Sequence, residues 1–466
     1  MSTLFNFFKV VNFETSASVF YTSNIKNDVE KEFTWIQSIA LTHSGIYGLN
    51  TLTGHRDDET IDFLSSKSQL DLIKSHLIPS NNDLFNPYEV RCISVAKLCA
   101  VSNGGTGLGP LLTTHLIKSI DSPTFNPKIP VNQSYSSGDV IPAAYWADYL
   151  LGWNGYINNQ SLYPGEALAL INGAFIHLGL AASCLPSLLQ CKDLVLHAFS
   201  SIACLSGHGS YNFKRLIFAE HADASKDIET LVMLVNQYSR DANTISTSPQ
   251  ASVSIRSFPE VLILLNEKIT KYKTEVGYSL NSRSANPMFN YKESNIASQA
   301  TFMLPSLSVD GSSVIESLLF AGSSLIGGMQ YILSGHVKDI PIDGKRNGDS
   351  YGFIQVPKEL MARLEYIRLM NGRRPFSSGA STSYGIEDLW SHGMNISILL
   401  KKIIEDTNQI SLRVINVCEI LSHLFQNKKI FNDLSFDKDL IAVEILKKIE
   451  NSNSEKTVSS FDSYTF

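Results

Sequence analysis

The sequence predicts a mainly α protein. Three observations carry that prediction: long apolar segments fill residues 143–151, 165–189 and 194–205; very few stretches alternate with period two; and glycine and proline clusters punctuate segments of helical spacing. Taken in order, the chain opens with a mixed segment to residue 61. Its one punctuated stretch is Gly45-Ile46-Tyr47-Gly48-Leu49-Asn50-Thr51-Leu52-Thr53-Gly54, whose three glycines mark a mobile loop. Residues 68–76 and 89–102 carry helical patterns, and Gly104-Gly105-Thr106-Gly107-Leu108-Gly109-Pro110 stops the second of them. A glycine cluster of this kind can cradle phosphate, but it lacks the Lys-Ser/Thr ending of a P-loop and precedes no dinucleotide signature, so a helix stop is the better reading. Further helices are predicted over 258–276, 314–333, 357–370, 394–425 and 437–449. Residues 335–352, rich in Gly, Asp and Lys, read as an exposed loop, and 451–466 as a disordered polar tail.

Composition narrows the function classes. The 466 residues are 44% apolar and 18% charged, with a net charge of −6 and no basic block, which gives no footprint for nucleic acid or an anionic membrane. Residues 1–13 lack the basic start, apolar run and small-residue cleavage site of a secretory signal. Cys92, Cys99, Cys184, Cys191, Cys204 and Cys418 show no Cys-x-x-Cys spacing and read as reduced thiols of a cytoplasmic protein. The apolar stretch 167–189 is long enough to cross a bilayer. Asn172, His177 and Pro186 within it argue for a buried helix instead, because each polar group would need a partner in lipid.

The stretch Ser134-Tyr135-Ser136-Ser137-Gly138-Asp139-Val140-Ile141-Pro142 carries the most unusual chemistry. Gly138 is unhindered, so its backbone nitrogen can approach the carbonyl carbon of Ser136, while Ser137 between them can lose its hydroxyl as water. Cyclisation and dehydration give a conjugated five-membered ring with an exposed methylidene carbon, an electrophile built from the chain. Asp139 and Pro142 close the bend. Alone, such residues usually mean a solvated turn. In the same way Tyr47 is a possible acid or base, although a lone loop Tyr is more often a packed aromatic.

Six motifs in order resemble those of the histidine and phenylalanine ammonia-lyase family, over about residues 47–393. Tyr47-Gly48-Leu49-Asn50-Thr51 is similar to the family's Tyr-Gly-x-Asn/Thr-Thr loop, and Ser136-Ser137-Gly138-Asp139 to the Ala-Ser-Gly-Asp that forms 4-methylidene-imidazol-5-one (MIO). Glu166-Ala167-Leu168-Ala169-Leu170-Ile171-Asn172-Gly173 resembles Glu-Gly-Leu-Ala-Leu-x-Asn-Gly. Ser254-Ile255-Arg256-Ser257-Phe258-Pro259 looks like Ser-Leu-Arg-Cys-x-Pro, Asn281-Ser282-Arg283-Ser284-Ala285-Asn286-Pro287 like Asn-Ser-x-Thr-Asp-Asn-Pro, and Glu387-Asp388 with Ser391 and Gly393 like Glu-Asp-His-Val-Ser-Met-Gly.

The resemblance implies a long central helical bundle of the ammonia-lyase/fumarase-like type, with active-site loops at the subunit junctions of a homotetramer. It divides the chain into 1–160, with the catalytic loop and the MIO, 161–425, the helical bundle, and 426–466, a last helix and tail. It implies MIO formed autocatalytically from Ser136, Ser137 and Gly138, without an external cofactor, in a lyase that removes ammonia from an aromatic L-amino acid. Tyr47 would be the base, Asn172 a hydrogen-bond partner of ring or substrate, Arg256 the carboxylate clamp and Glu387 the group at the substrate nitrogen. Ser75-His76 resembles the Ser-His of histidine-type members, so His76 favours histidine as substrate. An aminomutase uses the same residues, and a non-catalytic binding or scaffold relative is the reading from another class. Departures bear on it: Leu52-Thr53 stands for Gly-Phe, Cys99 for Asn, Tyr135 for a small residue, Tyr145 for His, Val253 for a second Tyr, and Ile386 and Leu389 for polar side chains. No Asn-Phe-His-Gly stretch is found near 298–302. These losses predict a reshaped, drier cavity.

Overall fold

The computed structural model describes residues 2–60, 62, 64–79, 83–131, 138–208, 225–242, 245–338, 340, 345–346, 349–350, 355–372 and 389–426. Helices dominate them. Among the described residues, strands are confined to two short antiparallel pairs, β1 (Met288–Asn290) with β2 (Asn295–Ala297) and β3 (Lys345–Arg346) with β4 (Asp349–Ser350). The chain forms two compact units, one of Met1–Leu185, Lys271–Ser312 and Arg374–Leu400, the other of Pro186–Thr270, Ser313–Arg373 and Lys401–Phe466.

The first unit contains α1 (Ser2–Val11), α2 (Ser23–Thr42), α3 (Ser66–Lys74), α4 (Pro87–Ser102), α5 (Pro110–Asp121), α6 (Val140–Gly152), α7 (Tyr156–Asn159), α8 (Glu166–Ile171) and the start of α9 (Phe175–Leu205). Helix α4 is its axis. Asn86 and Glu89 close a capping box at its start, Pro87 sits in the first turn, and nearly every residue from Glu89 to Val101 is buried. From α4, Arg91 donates to the carbonyls of Val10, Val11 and Ile120 and lies 3.2 Å over the Phe13 ring. One guanidinium thus caps the C-terminal ends of α1 and α5, where helix dipoles favour a cation. Its burial pulls the Arg91 pKa down to about 10.

Two of the predicted segments are joined differently from expectation. The sequence places a break between residues 189 and 194; the structure breaks earlier, at Asn172 and Gly173, and then runs α9 unbroken through Pro186 to Leu205. Gly173 has φ +110, and a Cβ there would stand 3.0 Å from the Ser284 carbonyl oxygen. The polar residues that suggested the later break are handled without one, because Lys192 pairs with Asp227 at 2.9 Å. In the most apolar part of the α8–α9 stretch 83% of residues are buried in protein, which accounts for a composition suited to lipid.

The second unit is built from the rest of α9, α10 (Ser225–Ala242), α11 (Val253–Arg256), α12 (Phe258–Leu280) up to Thr270, α13 (Pro305–Leu333) from Ser313, α14 (Gln355–Gly372) and α15 (Gly393–Gln426) from Lys401. Phe199 and Phe258 stack at 4.0 Å in its core. Buried Asp406 takes Arg363 and Lys402 at 3.4 and 3.2 Å. The reading of 335–352 as an exposed loop needs correction: Val337 and Ile340 are buried, and β3 and β4 form a hairpin. Helices α1, α2, α5 and α10, and the single turns α7 and α11, fall where no helix was predicted. Helix α2 shows why: one of the five residues on its buried face is Glu32, so apolar periodicity is broken where a carboxylate is needed. The predicted helix 437–449 and the tail lie outside the described residues. All six cysteines are free and buried.

Candidate active site

The Tyr47 loop follows α2 and is held by its own side chains. Buried Asn50 accepts the Ile46 N–H at 2.8 Å and donates to the His43 carbonyl at 2.6 Å, and the Thr51 hydroxyl accepts the Gly48 N–H at 3.3 Å. Gly48 has φ +65, and a Cβ there would meet Leu168 of α8 at 1.9 Å, so glycine is what lets the loop lie on that helix. Tyr47 itself is half-buried, and its hydroxyl oxygen accepts the Gly54 N–H at 3.2 Å.

The neighbouring glycine-rich loop serves another purpose. Glu32 accepts the N–H groups of Gly105 and Gly107 at 2.8 and 3.1 Å, and Glu166 those of Gly109 and Tyr163 at 3.0 and 2.9 Å. Amides that could have faced a phosphate are engaged by two buried carboxylates of the protein. Burial lifts Glu166 to about 7 and raises Glu32 as well, the amide bonds opposing the rise in both.

Asn172 ends α8. Its main-chain carbonyl accepts from Lys97 Nζ at 3.0 Å, and Lys97 also donates to the Ala169 carbonyl and faces the Phe175 ring at 4.4 Å. Lys97 is fully buried, which pulls its pKa down to about 7. The Asn172 side-chain Oδ1 is buried and, among the described residues, accepts no hydrogen bond. Asn172 lines a cavity together with Gly48, Thr106, Leu168, Ser284 and Asn286. The far wall is braced, since Ser284 Oγ accepts the Ala174 N–H at 2.7 Å and Asn286 Oδ1 accepts from Ser298 Oγ and the Gln299 N–H, each at 3.2 Å. The structure therefore brings together three of the sequence motifs: the Tyr47 loop, Asn172 and residues 284–287.

Of the ring-forming residues, Ser136 and Ser137 lie outside the described residues, as do Tyr135, Ile386 and Glu387. Gly138 is described and buried. A Cβ there would be in ordinary van der Waals contact with Phe302 and Val140, both at 3.7 Å. Phe302 is a residue that motif matching missed, since the segment around it carries none of the expected pattern. Asp139 follows with φ +51, and its Oδ2 meets His177 Nδ1 at 2.6 Å in a buried pair.

His76 lies just past the end of α3 and not on it. The ring is half-buried, with Nδ1 donating to the Leu72 carbonyl at 2.9 Å. Two residues on, the Ile78 carbonyl accepts the hydroxyl of Tyr145 on α6. Tyr145 is thus a strut between the His76 turn and α6. Arg256 ends α11 in the second unit, with an exposed side chain. Val253 is 70% and Leu389 60% exposed within the single chain.

Comparison with known proteins gives a consistent answer. The profile of the aromatic amino acid lyases matches residues 5–429. A hal-like protein of Dictyostelium discoideum is 24% identical over 326 residues, 61% of this chain and 60% of that protein. A tyrosine ammonia-lyase of Cupriavidus metallidurans is 24% identical over 294 residues, 54% of this chain and 55% of that one. The matches thus span little more than half the length of these curated relatives. Among solved structures, phenylalanine aminomutase of Pantoea agglomerans superposes with a TM-score of 0.73 at 17% identity, covering 91% of this chain and 88% of the other. Histidine ammonia-lyase of Trypanosoma cruzi gives 0.70 at 17% identity, covering 92% and 86%. The shared fold, and a profile match that runs through both glycine-rich loops, Asn172 and the 284–287 strip, place this chain in the aromatic amino acid lyase family.

Proposed function

We propose that this chain is an ammonia-lyase or aminomutase acting on an aromatic L-amino acid, with histidine the favoured substrate, through a MIO group made from Ser136, Ser137 and Gly138. The observation that carries the proposal is the Asn172 Oδ1 atom, a buried acceptor without a partner among the described residues, on a residue that lines a cavity with Gly48 of the Tyr47 loop. Buried polar atoms in folded proteins are otherwise satisfied, so an orphan in a cavity is explained by a ligand's donor. The residues present fit a backbone-derived ring: Gly138 carries no Cβ to hinder its nitrogen, and the left-handed Asp139 turns the chain sharply after it. MIO supplies the electrophile that takes up the substrate.

The chain's own residues have the remaining work. Tyr47 takes the β-proton, Asn172 hydrogen-bonds the ring or substrate, Glu387 attends the amino group, and the Arg256 fork grips the carboxylate. His76 is the candidate for recognising an imidazole. Its Nδ1 is tied to Leu72, so that contact falls to Nε2. Tyr47 and Arg256 belong to different compact units, and we assign them to different subunits of a homotetramer whose sites each draw on three chains. Exposed Tyr278, Phe320, Val253 and Leu389, each at least 59% accessible, supply apolar surface for such contacts.

The test is the mass of the peptide covering residues 131–140 from purified protein, followed by product analysis with histidine, phenylalanine and tyrosine. A peptide lighter by two waters, with an α,β-unsaturated acid as product, supports the lyase, and a β-amino acid supports the aminomutase. Ser137→Ala is expected to abolish both the mass loss and turnover. An unmodified peptide in folded protein removes both readings and leaves a binding protein.

A further inference from the structure

We propose that His177 is a positioning residue for ring formation, holding Asp139 so that the chain is bent where Gly138 must close on Ser136. The inference rests on the MIO reading above and concerns a side chain that none of the motifs includes.

Asp139 immediately precedes α6, where an aspartate ordinarily accepts an N–H of its own helix. It makes no such cap. Its carboxylate is instead bonded to His177 Nδ1 at 2.6 Å, with His177 1% and Asp139 5% exposed. The bond crosses from the foot of α6 to the first turn of α9, 38 residues apart in sequence. A carboxylate oxygen can only accept here, so Nδ1 is the donor of this bond. The ring packs against Gly393, where a Cβ would stand 2.8 Å from His177 Cδ2, so the imidazole fills the space that this glycine leaves. His177 Nε2 is buried and has no partner, so Asp139 is the polar contact that orients the ring among the described residues.

The conformation held in this way is unusual. Asp139 has φ +51, a region that residues with a Cβ enter only when their surroundings impose it. The His177 bond is one of the contacts that hold it there. The consequence falls on the adjoining residue, because fixing Asp139 restricts the approach direction of the Gly138 nitrogen. In ring closure that nitrogen bonds to the Ser136 carbonyl carbon, and the carbonyl oxygen departs as water with the amide hydrogens of Gly138 and Ser137. The Ser137 hydroxyl leaves as a second water with its own α-hydrogen. The two steps involve no oxidant or reductant. Holding the reacting atoms together is the main help a protein can give such a closure.

Full-length wild type, His177→Leu, His177→Asn and Asp139→Asn, each made by cell-free translation so that the chain starts without the ring, would be sampled over time for the mass of peptide 131–140, with melting temperature recorded in parallel. Asn places an amide donor near the position of Nδ1, whereas Leu keeps the bulk without the donor. His177→Leu and Asp139→Asn are expected to form the ring at least tenfold more slowly than wild type, and His177→Asn within about threefold of it. Ring formation in His177→Leu at the wild-type rate overturns the proposal. So does a deficit in His177→Asn as large as in His177→Leu, since that tracks loss of the imidazole and not of the bond. Should Leu fail to fold, His177→Asn and Asp139→Asn decide the matter. An unmodified wild-type peptide refutes the MIO reading itself and this inference with it, an outcome distinct from a wild type that dehydrates alongside an equally competent Leu variant.

Discussion

The two glycine-rich loops of the first unit, 45–54 and 104–109, are alike in composition and opposite in what their amides face. In 104–109 the N–H groups of Gly105, Gly107 and Gly109 are engaged by Glu32 and Glu166, carboxylates brought from α2 and α8. In 45–54 the structure is fixed by short-range bonds from Asn50 and Thr51, and the Tyr47 hydroxyl accepts the Gly54 N–H. Glycine in 104–109 makes room for an internal clamp, and in 45–54 for a loop that lies on α8 while carrying a phenol. A glycine cluster becomes a ligand site only where the protein leaves its donors or its side chains unused.

That contrast predicts a double dissociation. The largest effect is expected from Tyr47→Phe, which should lower turnover by about two to four orders of magnitude while leaving the denaturation midpoint nearly unchanged. Parallel kinetics and urea unfolding measure both, and near-normal turnover would make the Tyr47 loop as purely structural as its neighbour. Next, Glu166→Leu leaves two buried amides without an acceptor and is expected to cost about 2–4 kcal/mol of stability. No loss in urea would mean that these amides find other partners.

The smallest effect is in pH dependence. Burial holds the Glu166 carboxyl at about 7, above the 4.5 of an unfolded glutamate. The folded chain therefore keeps a proton that the unfolded chain releases between those values. The stability contributed by Glu166 is complete below about pH 4.5 and declines as pH rises to about 7. In Glu166→Gln that part of the slope should be missing. An unchanged slope from pH 4.5 to 7 would assign it to other groups, with Glu32, shifted in the same direction, first among them.

The fold class and most long helices were legible because α4, α9, α13 and α15 bury enough apolar surface to mark their own periods. What escaped was structure that depends on partners distant in sequence. Helix α2 is stitched in by a glutamate that only residues 105 and 107 explain, and the α8–α9 break by a glycine that only Ser284 explains. At the site, three of the motifs, the Tyr47 loop through its Gly48, Asn172 and the 284–287 strip, line one cavity. His177 and Phe302 were not legible as site residues. Each is an ordinary core side chain in sequence, and only the fold puts one against Asp139 and the other beside Gly138. The bond from the Tyr145 hydroxyl to the Ile78 carbonyl was not legible either, because it joins residues 67 apart in sequence.

Arg91 sets a schedule for synthesis. Its three acceptors, the carbonyls of Val10, Val11 and Ile120, span the first quarter of the chain. A ribosome adding about 5–20 residues per second needs roughly 5–20 s to pass from residue 11 to residue 120. Throughout that interval the opening helix is out of the exit tunnel, or leaving it, without the guanidinium network complete. Its Phe5, Phe7 and Phe8 then have no finished core to enter. Helix α1 is consequently a part of the nascent chain that needs shielding until α4 and α5 have both been made.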